Sequence, residues 1–268
     1  MSFLTKKSVG LHLSADAVRL VVLSKKGKEI KILNTHTEKL PLGVIKNGEV
    51  IDYKALKLFF LNLKKKISFD KINFSFSQPE PDLMREAKIK VLSFTSEAEA
   101  AERAILSTWG GWTSPSASGV SMGMGNESVM LIDIGSERTL VSVVTNGEVC
   151  YSERLVVTSD FLKDLMERGW GLDIFFDQIN KHYVAWHLDK AKNKNSTSDL
   201  IRKVYLYGCA ENLSYLSEYL TVNMKVPVEL ANVWTNVITS FDEKIPDVNF
   251  KDSLAYASAI GAALKGLE

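Results

Sequence analysis

Two stretches of this chain share one pattern: VGLHLSADAVRLVVL at residues 9–23 and VMLIDIGSERTLVSVV at residues 129–144. Each is an apolar run broken only by a few small and polar residues, which is typical of two strands joined by a tight turn. When Leu11–Asp16 is placed over Ile132–Glu137, the strands and first turns align without a gap. Each copy then reaches a second turn and a third strand. The sequence therefore predicts a duplicated three-stranded meander.

Helical spacing of apolar residues follows each meander, which predicts two related α/β units that meet across a cleft. We expect the first unit to take residues 1–127 with 250–268, and the second to take residues 128–249. The further predicted elements are a third strand at 29–34, helices from 53, at 97–106, 160–168, 173–190 and near 213–220, and short strands at 72–77, 89–94, 203–207 and 226–228.

Two of the predicted helices carry specific signals at their ends or along their faces. Ser96 is a candidate N-cap, and Glu99 three residues later completes a capping box. The closing helix, Leu254–Leu264, consists mostly of alanine and glycine. Because its side chains are so small, this helix can approach a neighbouring backbone closely.

Composition excludes several classes of protein. The chain has 268 residues, 46% hydrophobic and 24% charged, with a formal net charge of +1. This is a globular composition without the basic surplus that a dedicated nucleic-acid binder needs. Its two cysteines, Cys150 and Cys209, fit reduced thiols in a reducing compartment. No signal peptide and no membrane span are expected, so we predict a cytoplasmic protein without direct membrane insertion.

The stretch Trp109–Asn126 is rich in Gly, Ser and Met and has no periodicity, which predicts a long loop or linker. Its exposed aromatic and methionine side chains, among them Trp112 and Met122, favour docking of a partner. The alternative is a loop that folds back over the cleft. The sequence leaves both interpretations open.

Together these segments resemble the actin, Hsp70 and sugar-kinase superfamily, and within it the PilM-like proteins of type IV pilus assembly. The resemblance is carried, in family order, by residues 9–14 with 18–21, residues 40–52, residues 131–135 with 139 and 141–144, residues 204–210 and residues 255–264. It implies an α/β fold of the actin-like, ribonuclease H-like type, in which duplicated βββαβα units form two domains around a cleft.

The resemblance also implies candidate nucleotide contacts. Asp133, Gly135, Ser136 and Thr139 stand in the second phosphate hairpin, and Gly208 stands in the adenosine motif. The implied cofactor is ATP with Mg²⁺. For Asp133 and Gly135 the alternative interpretation is a strand-end aspartate that caps a tight turn.

His12 and Ser14 stand in the first phosphate hairpin, where the family carries aspartate and then glycine. Imidazole is a poor replacement for a carboxylate near Mg²⁺. Thr158 with Ser159, and Cys209, stand where glycines are expected. Three of the four nucleotide-contacting motifs are therefore degraded, and only the hairpin at Asp133 and Gly135 is intact. We expect no catalytic residues and no metal ligands, and the sequence leaves a slow ATPase activity open as the second hypothesis below.

Length gives a further departure from the family, because only Gln78–Ser96 remain where it inserts a small subdomain. In PilM relatives that subdomain helps to bind the cytoplasmic tail of the membrane protein PilN. The fold is therefore expected without the subdomain.

Three functions follow as hypotheses. The first is a non-catalytic scaffold of a type IV pilus or related secretion platform, peripheral to the inner membrane through a PilN-like partner tail, with self-association and without nucleic acid. The second is an actin-like ATP-binding protein, a slow ATPase at most, that switches assembly by cleft closure. The third is an FtsA-like division protein, which the ending Leu264–Glu268 disfavours because it is not an amphipathic tail.

Overall fold

The computed structural model describes residues 5–46, 48–76, 81–106, 128–192, 200–238 and 246–268. The strands are β1 (Lys6–Leu13), β2 (Ala17–Lys26), β3 (Glu29–Lys39), β4 (Ile45–Lys46), β5 (Glu49–Val50), β6 (Lys71–Ser75), β7 (Lys90–Thr95), β8 (Ser128–Ile134), β9 (Thr139–Thr145), β10 (Glu148–Leu155), β11 (Ile201–Gly208) and β12 (Val228–Leu230). The helices are α1 (Tyr53–Ile67), α2 (Pro81–Glu86), α3 (Glu97–Ile105), α4 (Ser159–Arg168), α5 (Leu172–Lys192), α6 (Leu213–Met224), α7 (Phe250–Ser253) and α8 (Ala257–Lys265), with a 3₁₀ turn at Leu254–Tyr256 before α8. The predicted loop Trp109–Asn126 lies outside the described residues.

The chain divides into two compact units. The first takes the described residues of Met1–Trp109 and Val233–Glu268, and the second takes those of Gly110–Asn232. The sequence predicts that the second unit ends at residue 249, but the described residues after Asn232 belong to the first unit. Among them, the Asn236 side-chain amide donates to the Arg103 and Leu106 carbonyls at the end of α3, at 2.8 Å each.

Both units contain a five-stranded sheet with the same topology. The sheet of the first unit has the order β3-β2-β1-β6-β7, and that of the second has the order β10-β9-β8-β11-β12. In each sheet the first three strands are antiparallel and the last two run parallel to the first. The duplicated meander read from the sequence therefore belongs to a larger duplicated sheet.

The first turn of each meander is also closed in the same way. The Ser14 backbone N–H donates to the Ala17 carbonyl at 3.0 Å, and the Gly135 N–H donates to the Arg138 carbonyl at 2.9 Å. These are the residues that the sequence alignment of the two copies placed opposite each other. The turn geometry is thus common to both copies although their residues differ.

Strand β1 presents two different faces because successive side chains point to opposite sides of a sheet. Leu11 and Leu13 belong to an apolar core that includes Leu56 and Phe60 of α1. Gly10 and His12 alternate with these leucines on the other face. That face is covered by α8, which packs against β1, β2, β6 and α3.

Glycines allow α8 to reach this position. A Cβ atom on Gly10 would lie 2.0 Å from the Ala259 carbonyl oxygen of α8, and one on Gly261 would lie 1.8 Å from the Ala100 carbonyl oxygen of α3. Real Cβ atoms do not come so close to backbone atoms. The close approach expected from the small residues of this helix is therefore present on both of its sides.

Most predicted elements are present, with different ends. The capping box of α3 is formed: the Glu99 N–H donates to Ser96 Oγ at 3.2 Å, and the Ser96 N–H donates to Glu99 Oε2 at 3.0 Å. Strand β3 continues to Lys39, beyond the predicted end at Asn34, because backbone pairing with β2 persists where apolar residues cease. Between β6 and α3 the described residues form only α2, β7 and their connections, without the small subdomain.

Substitution Gly261→Ala should destabilise the protein, although alanine favours helices by about 1 kcal/mol over glycine. The added methyl group meets backbone atoms of α3 that cannot move separately, so we expect a net loss of about 2 kcal/mol in urea unfolding. The control is Gly27→Ala, where no atom lies within 4 Å of the new methyl group and only the positive φ of 63° opposes it. Equal stability of Gly261→Ala and the wild type would contradict the close packing.

Candidate functional site

The candidate residues of the second unit meet at the carboxyl ends of two parallel strands. Asp133 of β8 is the register partner of Tyr207 in β11, and Ile134 is that of Gly208. Gly208 has a φ of +111°, and a Cβ atom there would lie 2.6 Å from Asp133 Oδ1 and 2.5 Å from the Ile134 carbonyl oxygen. Gly208 is required both by its backbone conformation and by the carboxylate beside it.

The amino end of α4 lies next to this turn. The Ser159 N–H donates to the Gly135 carbonyl at 2.9 Å, and Thr158 is the N-cap, whose hydroxyl accepts the Phe161 N–H at 3.1 Å. Thr158 and Ser159, which stand where glycines were expected, therefore cap a helix and close the turn. Asp133 near the end of β8 is half-buried, as are Gly135 and Ser136 in the turn that follows this strand.

Thr139 does not face the group formed by these residues. It is fully buried, and its hydroxyl donates to the Val157 carbonyl at 2.8 Å. This bond ties the start of β9 to the segment after β10. The candidate site of the second unit is thus formed by Asp133, Gly135, Ser136 and Gly208, and Thr139 supports its fold.

In the first unit, the turn after β1 is closed by its own side chains. Ser14 Oγ donates to Asp16 Oδ1 at 2.9 Å and to the Ala17 carbonyl at 2.8 Å. Arg19, which is buried, donates to Ser14 Oγ at 2.9 Å and to Asp16 Oδ2 at 3.1 Å. The hydroxyl predicted to contact phosphate is therefore held in an ion-paired network.

This network sets the charge of Asp16. Partial burial works to raise the pKa of the Asp16 carboxyl, but the charge of Arg19 and the hydrogen bonds from Ser14 and Arg19 outweigh it. The pKa of Asp16 consequently lies below its usual value of 3.8. Near neutral pH the turn carries a carboxylate and a guanidinium that neutralise each other.

His12 is buried and engaged inside the first unit. Its Nε2 lies 3.1 Å from Glu97 Oε1 at the start of α3, and both side chains are 8% exposed. Its register partner on β6 is Ser75, which is also buried. Within the described residues, His12 Nδ1 and Ser75 Oγ have no hydrogen-bond partner. His12 thus lies in a buried polar row across the sheet.

The two hairpins differ in how well they fit a magnesium nucleotide. His12 occupies the position that Asp133 has in the second unit, and its ring is committed to Glu97. Mg²⁺ prefers oxygen ligands, and the described residues contain no group of three or more His, Cys, Asp or Glu side chains placed to hold a metal ion. The donors of the first hairpin therefore do not fit a magnesium nucleotide.

Two neighbours of the candidate residues, Glu97 and Arg19, are not predicted from the sequence. Glu97 begins a predicted helix, and it pairs with His12 across 85 residues of sequence. Arg19 lies within a predicted apolar strand. The sequence signal for the pairing of Arg19 is its closeness along the chain to Ser14 and Asp16, because an arginine in an otherwise apolar strand needs an acidic partner.

No protein-family model and no curated protein matches this sequence. Among solved structures, a chain of the PilM-PilN type IV pilus biogenesis complex aligns with a TM-score of 0.67 and 14% identity, covering 97% of this chain and 98% of that one. The ethanolamine utilization protein EutJ from Carboxydothermus hydrogenoformans aligns with a TM-score of 0.59 and 16% identity, covering 98% and 91%.

MreB 5 of Spiroplasma citri bound to AMPPNP aligns with a TM-score of 0.56 and 9% identity, covering 97% of this chain and 95% of that one. The chain therefore has the actin-like fold. At such identities the likeness defines the fold alone. No helix among the described residues, α5 with its 21 residues included, is long and apolar enough to cross a membrane.

Substitution Gly208→Ala should disrupt the second unit. The methyl group would collide with the Asp133 carboxylate and the Ile134 backbone, and the positive φ adds strain, so we expect a loss of about 3 kcal/mol in urea unfolding. The matched control is Gly169→Ala, which has a φ of +73° and no atom within 4 Å, and should lose about 1 kcal/mol. Similar losses for both variants would show that the carboxylate does not constrain this position.

Substitution Arg19→Leu, which introduces the residue type found at Leu140 of the second copy, should remove pH-dependent stability. The lowered pKa of Asp16 means that the ion pair stabilises the fold above pH 4 and that this contribution is lost as pH falls through the lowered pKa. We expect the variant to be about 1 kcal/mol less stable at pH 7, with a smaller difference at pH 3.

Urea unfolding at the two pH values measures this difference. The control is Lys26→Leu, which removes one positive charge from the same strand, β2, at an exposed position with no ion pair in the described part of the chain. A difference for Arg19→Leu that is equal at pH 7 and pH 3 would contradict the assigned role of Asp16.

Proposed function

We propose that the protein is a non-catalytic actin-like scaffold of a type IV pilus or related secretion assembly platform. It binds the cytoplasmic tail of an inner-membrane subunit and is held at the membrane through that partner. The proposal is supported by the actin-like fold and by the likeness to the PilM-PilN complex over nearly the whole of both chains.

The observation that carries the proposal is the state of the first hairpin. Its turn keeps the same backbone geometry as the second copy, but Arg19, Asp16 and Ser14 bind one another, and His12 binds Glu97. These internal pairs use the groups that would otherwise face a ligand. A fold that is kept while its ligand chemistry is replaced by internal pairs favours a structural role.

The two cysteines, which form no disulfide within the described residues, fit a reducing compartment. Cys150 is exposed and Cys209 is partly buried, and neither forms a disulfide within the described residues. Cys209 is held at the carboxyl end of β11, where its N–H donates to the Ile134 carbonyl at 3.0 Å. The proposed binding of a cytoplasmic tail would place the protein on the cytoplasmic side of the inner membrane.

Isothermal calorimetry with the full chain tests this proposal. The ligands are synthetic peptides with the sequences of the cytoplasmic tails of inner-membrane pilus and secretion subunits from the same genome. We expect one tail to bind with a Kd of about 1–50 μM and its scrambled version not to bind. The absence of binding by every tail would refute the scaffold.

The same titration repeated with millimolar Mg-ATP separates the scaffold from a nucleotide-controlled switch. For the scaffold we expect the Kd of the tail and the Tm of the protein to stay unchanged when Mg-ATP is added. If the native state bound Mg-ATP, the Tm would rise with the nucleotide concentration. A Tm that rises with Mg-ATP, or a tail affinity that depends on it, would favour the switch.

A further inference from the structure

A groove lies along the outer edge of the first sheet. It has a volume of about 640 Å³, and it is lined by residues of β7, the start of β6 and the end of α2. The lining combines the apolar side chains of Val91 and Phe94 with positively charged ones, namely Lys71, Arg85, Lys88 and Lys90. The groove is thus apolar along the strand and basic along its rim.

Most of the positive charge of this rim has no ion-pair partner among the described residues, although Lys71 is near enough to Asp70 to help Lys64 lower the pKa of that carboxyl. Asp70, the acidic residue of the lining, pairs with Lys64 at 2.8 Å, and Arg85 pairs with Asp82 at 2.9 Å. Lys71, Lys88 and Lys90 form no ion pair within the described residues. The rim therefore keeps three cations available to a negatively charged ligand.

Two of these cations are also neighbours in the sheet. Lys71 of β6 and Lys90 of β7 are register partners. Like charges at adjacent positions of neighbouring strands destabilise a sheet. A carboxylate placed between the two ammonium groups would relieve this repulsion, which identifies the chemistry of the occupant.

Strand β7 itself is available for pairing. It is the last strand of its sheet, so its outer side has no partner strand among the described residues. Leu92 is the extra residue of a β-bulge and is 54% exposed, and Phe94 is 39% exposed. An edge strand with exposed apolar side chains is a template for an added strand.

We propose that this groove binds an extended acidic peptide, which joins β7 as a sixth strand. Successive side chains of an extended peptide point to opposite sides. A segment that alternates apolar and acidic residues therefore packs its apolar side chains on Val91 and Phe94 and directs its carboxylates to Lys71, Lys88 and Lys90. The identification of this segment with the partner's tail rests on the proposed function.

The charge of the groove argues against a second copy of this chain as the occupant. A second copy would bring a second basic rim of the same composition to this edge, and the positive charges of the two rims would repel. A nucleic acid is disfavoured by the formal net charge of only +1 on the whole chain. A peptide that carries both carboxylates and apolar side chains matches both parts of the groove.

Fluorescence anisotropy with the full chain and a labelled 12-residue peptide of alternating glutamate and valine tests the proposal. The reference peptide has lysine in place of glutamate. We expect the acidic peptide to bind at 50 mM salt, to bind at least tenfold more weakly at 300 mM salt, and to bind far more tightly than the reference. Equal binding of the two peptides would overturn the proposal.

Substitution Lys90→Glu gives the decisive variant. The new carboxylate faces Lys71, so we expect the Tm to rise by about 1–3 °C while the affinity for the acidic peptide falls at least tenfold. A structural role of Lys90 alone would not couple greater stability to weaker binding. Lys71→Glu reverses the other member of the pair and should give the same result if Lys90→Glu does not fold.

The matched control is Lys54→Glu, which makes the same charge change at an exposed position of α1 away from the groove. Equal weakening by Lys54→Glu and Lys90→Glu, unaltered binding by Lys90→Glu, concentration-dependent dimerisation through β7, or tighter binding of a DNA oligonucleotide would each overturn the proposal. A natural tail that binds Lys90→Glu normally would refute the identification of the groove's occupant with that tail and leave the scaffold. An acidic peptide that binds through Lys90 when no natural tail binds would refute the scaffold and leave the groove.

Discussion

The first unit depends on close contact between the backbone of helix α8 and the backbones of strand β1 and helix α3. Helix α8 lies so close to β1 and α3 that a single methyl group at Gly10 or Gly261 would overlap backbone atoms. Through this contact the last described segment of the chain covers one face of a sheet formed near its beginning. Closely packed backbones cannot accommodate an added methyl group, because a backbone cannot change rotamer as a side chain can. This contact fixes the position of α8 on the sheet of the first unit.

The face that α8 covers carries several polar groups, and most of them bind one another. Asn73 Nδ2 donates to Ser8 Oγ at 2.9 Å, and Ser93 Oγ donates to Asn73 Oδ1 at 2.8 Å. Further along the same strands, His12 meets Glu97. Buried polar groups are costly unless they are paired, so these pairs fix the register of the strands under the helix. Residues near the first hairpin therefore serve the interior of the unit.

Duplication has preserved geometry more strictly than chemistry. Both copies keep the sheet order and the hydrogen bond that closes the first turn, whereas an aspartate in one copy stands opposite a histidine in the other. Backbone geometry is required for folding in both copies, but each side chain at the turn is constrained only by its own neighbours. The two turns differ accordingly in their side-chain contacts: Gly208 lies against the Asp133 carboxylate in one, whereas Arg19 and Asp16 form an ion pair in the other.

The amino-acid sequence by itself determined the repeated meander, the capping box of α3 and the small-residue character of α8, because these depend on periodicity and on neighbours within a few residues. Only the tertiary structure decided that His12 meets Glu97, that Gly208 lies against Asp133, and that Lys71 and Lys90 adjoin at the edge of the sheet. These pairs join residues far apart in the chain. The contacts of Gly208 and of the two lysines arise from the register of parallel strands that are separated by other elements in the chain, and that of His12 arises from the packing of α3 beside β1, so no pattern within a few residues encodes them.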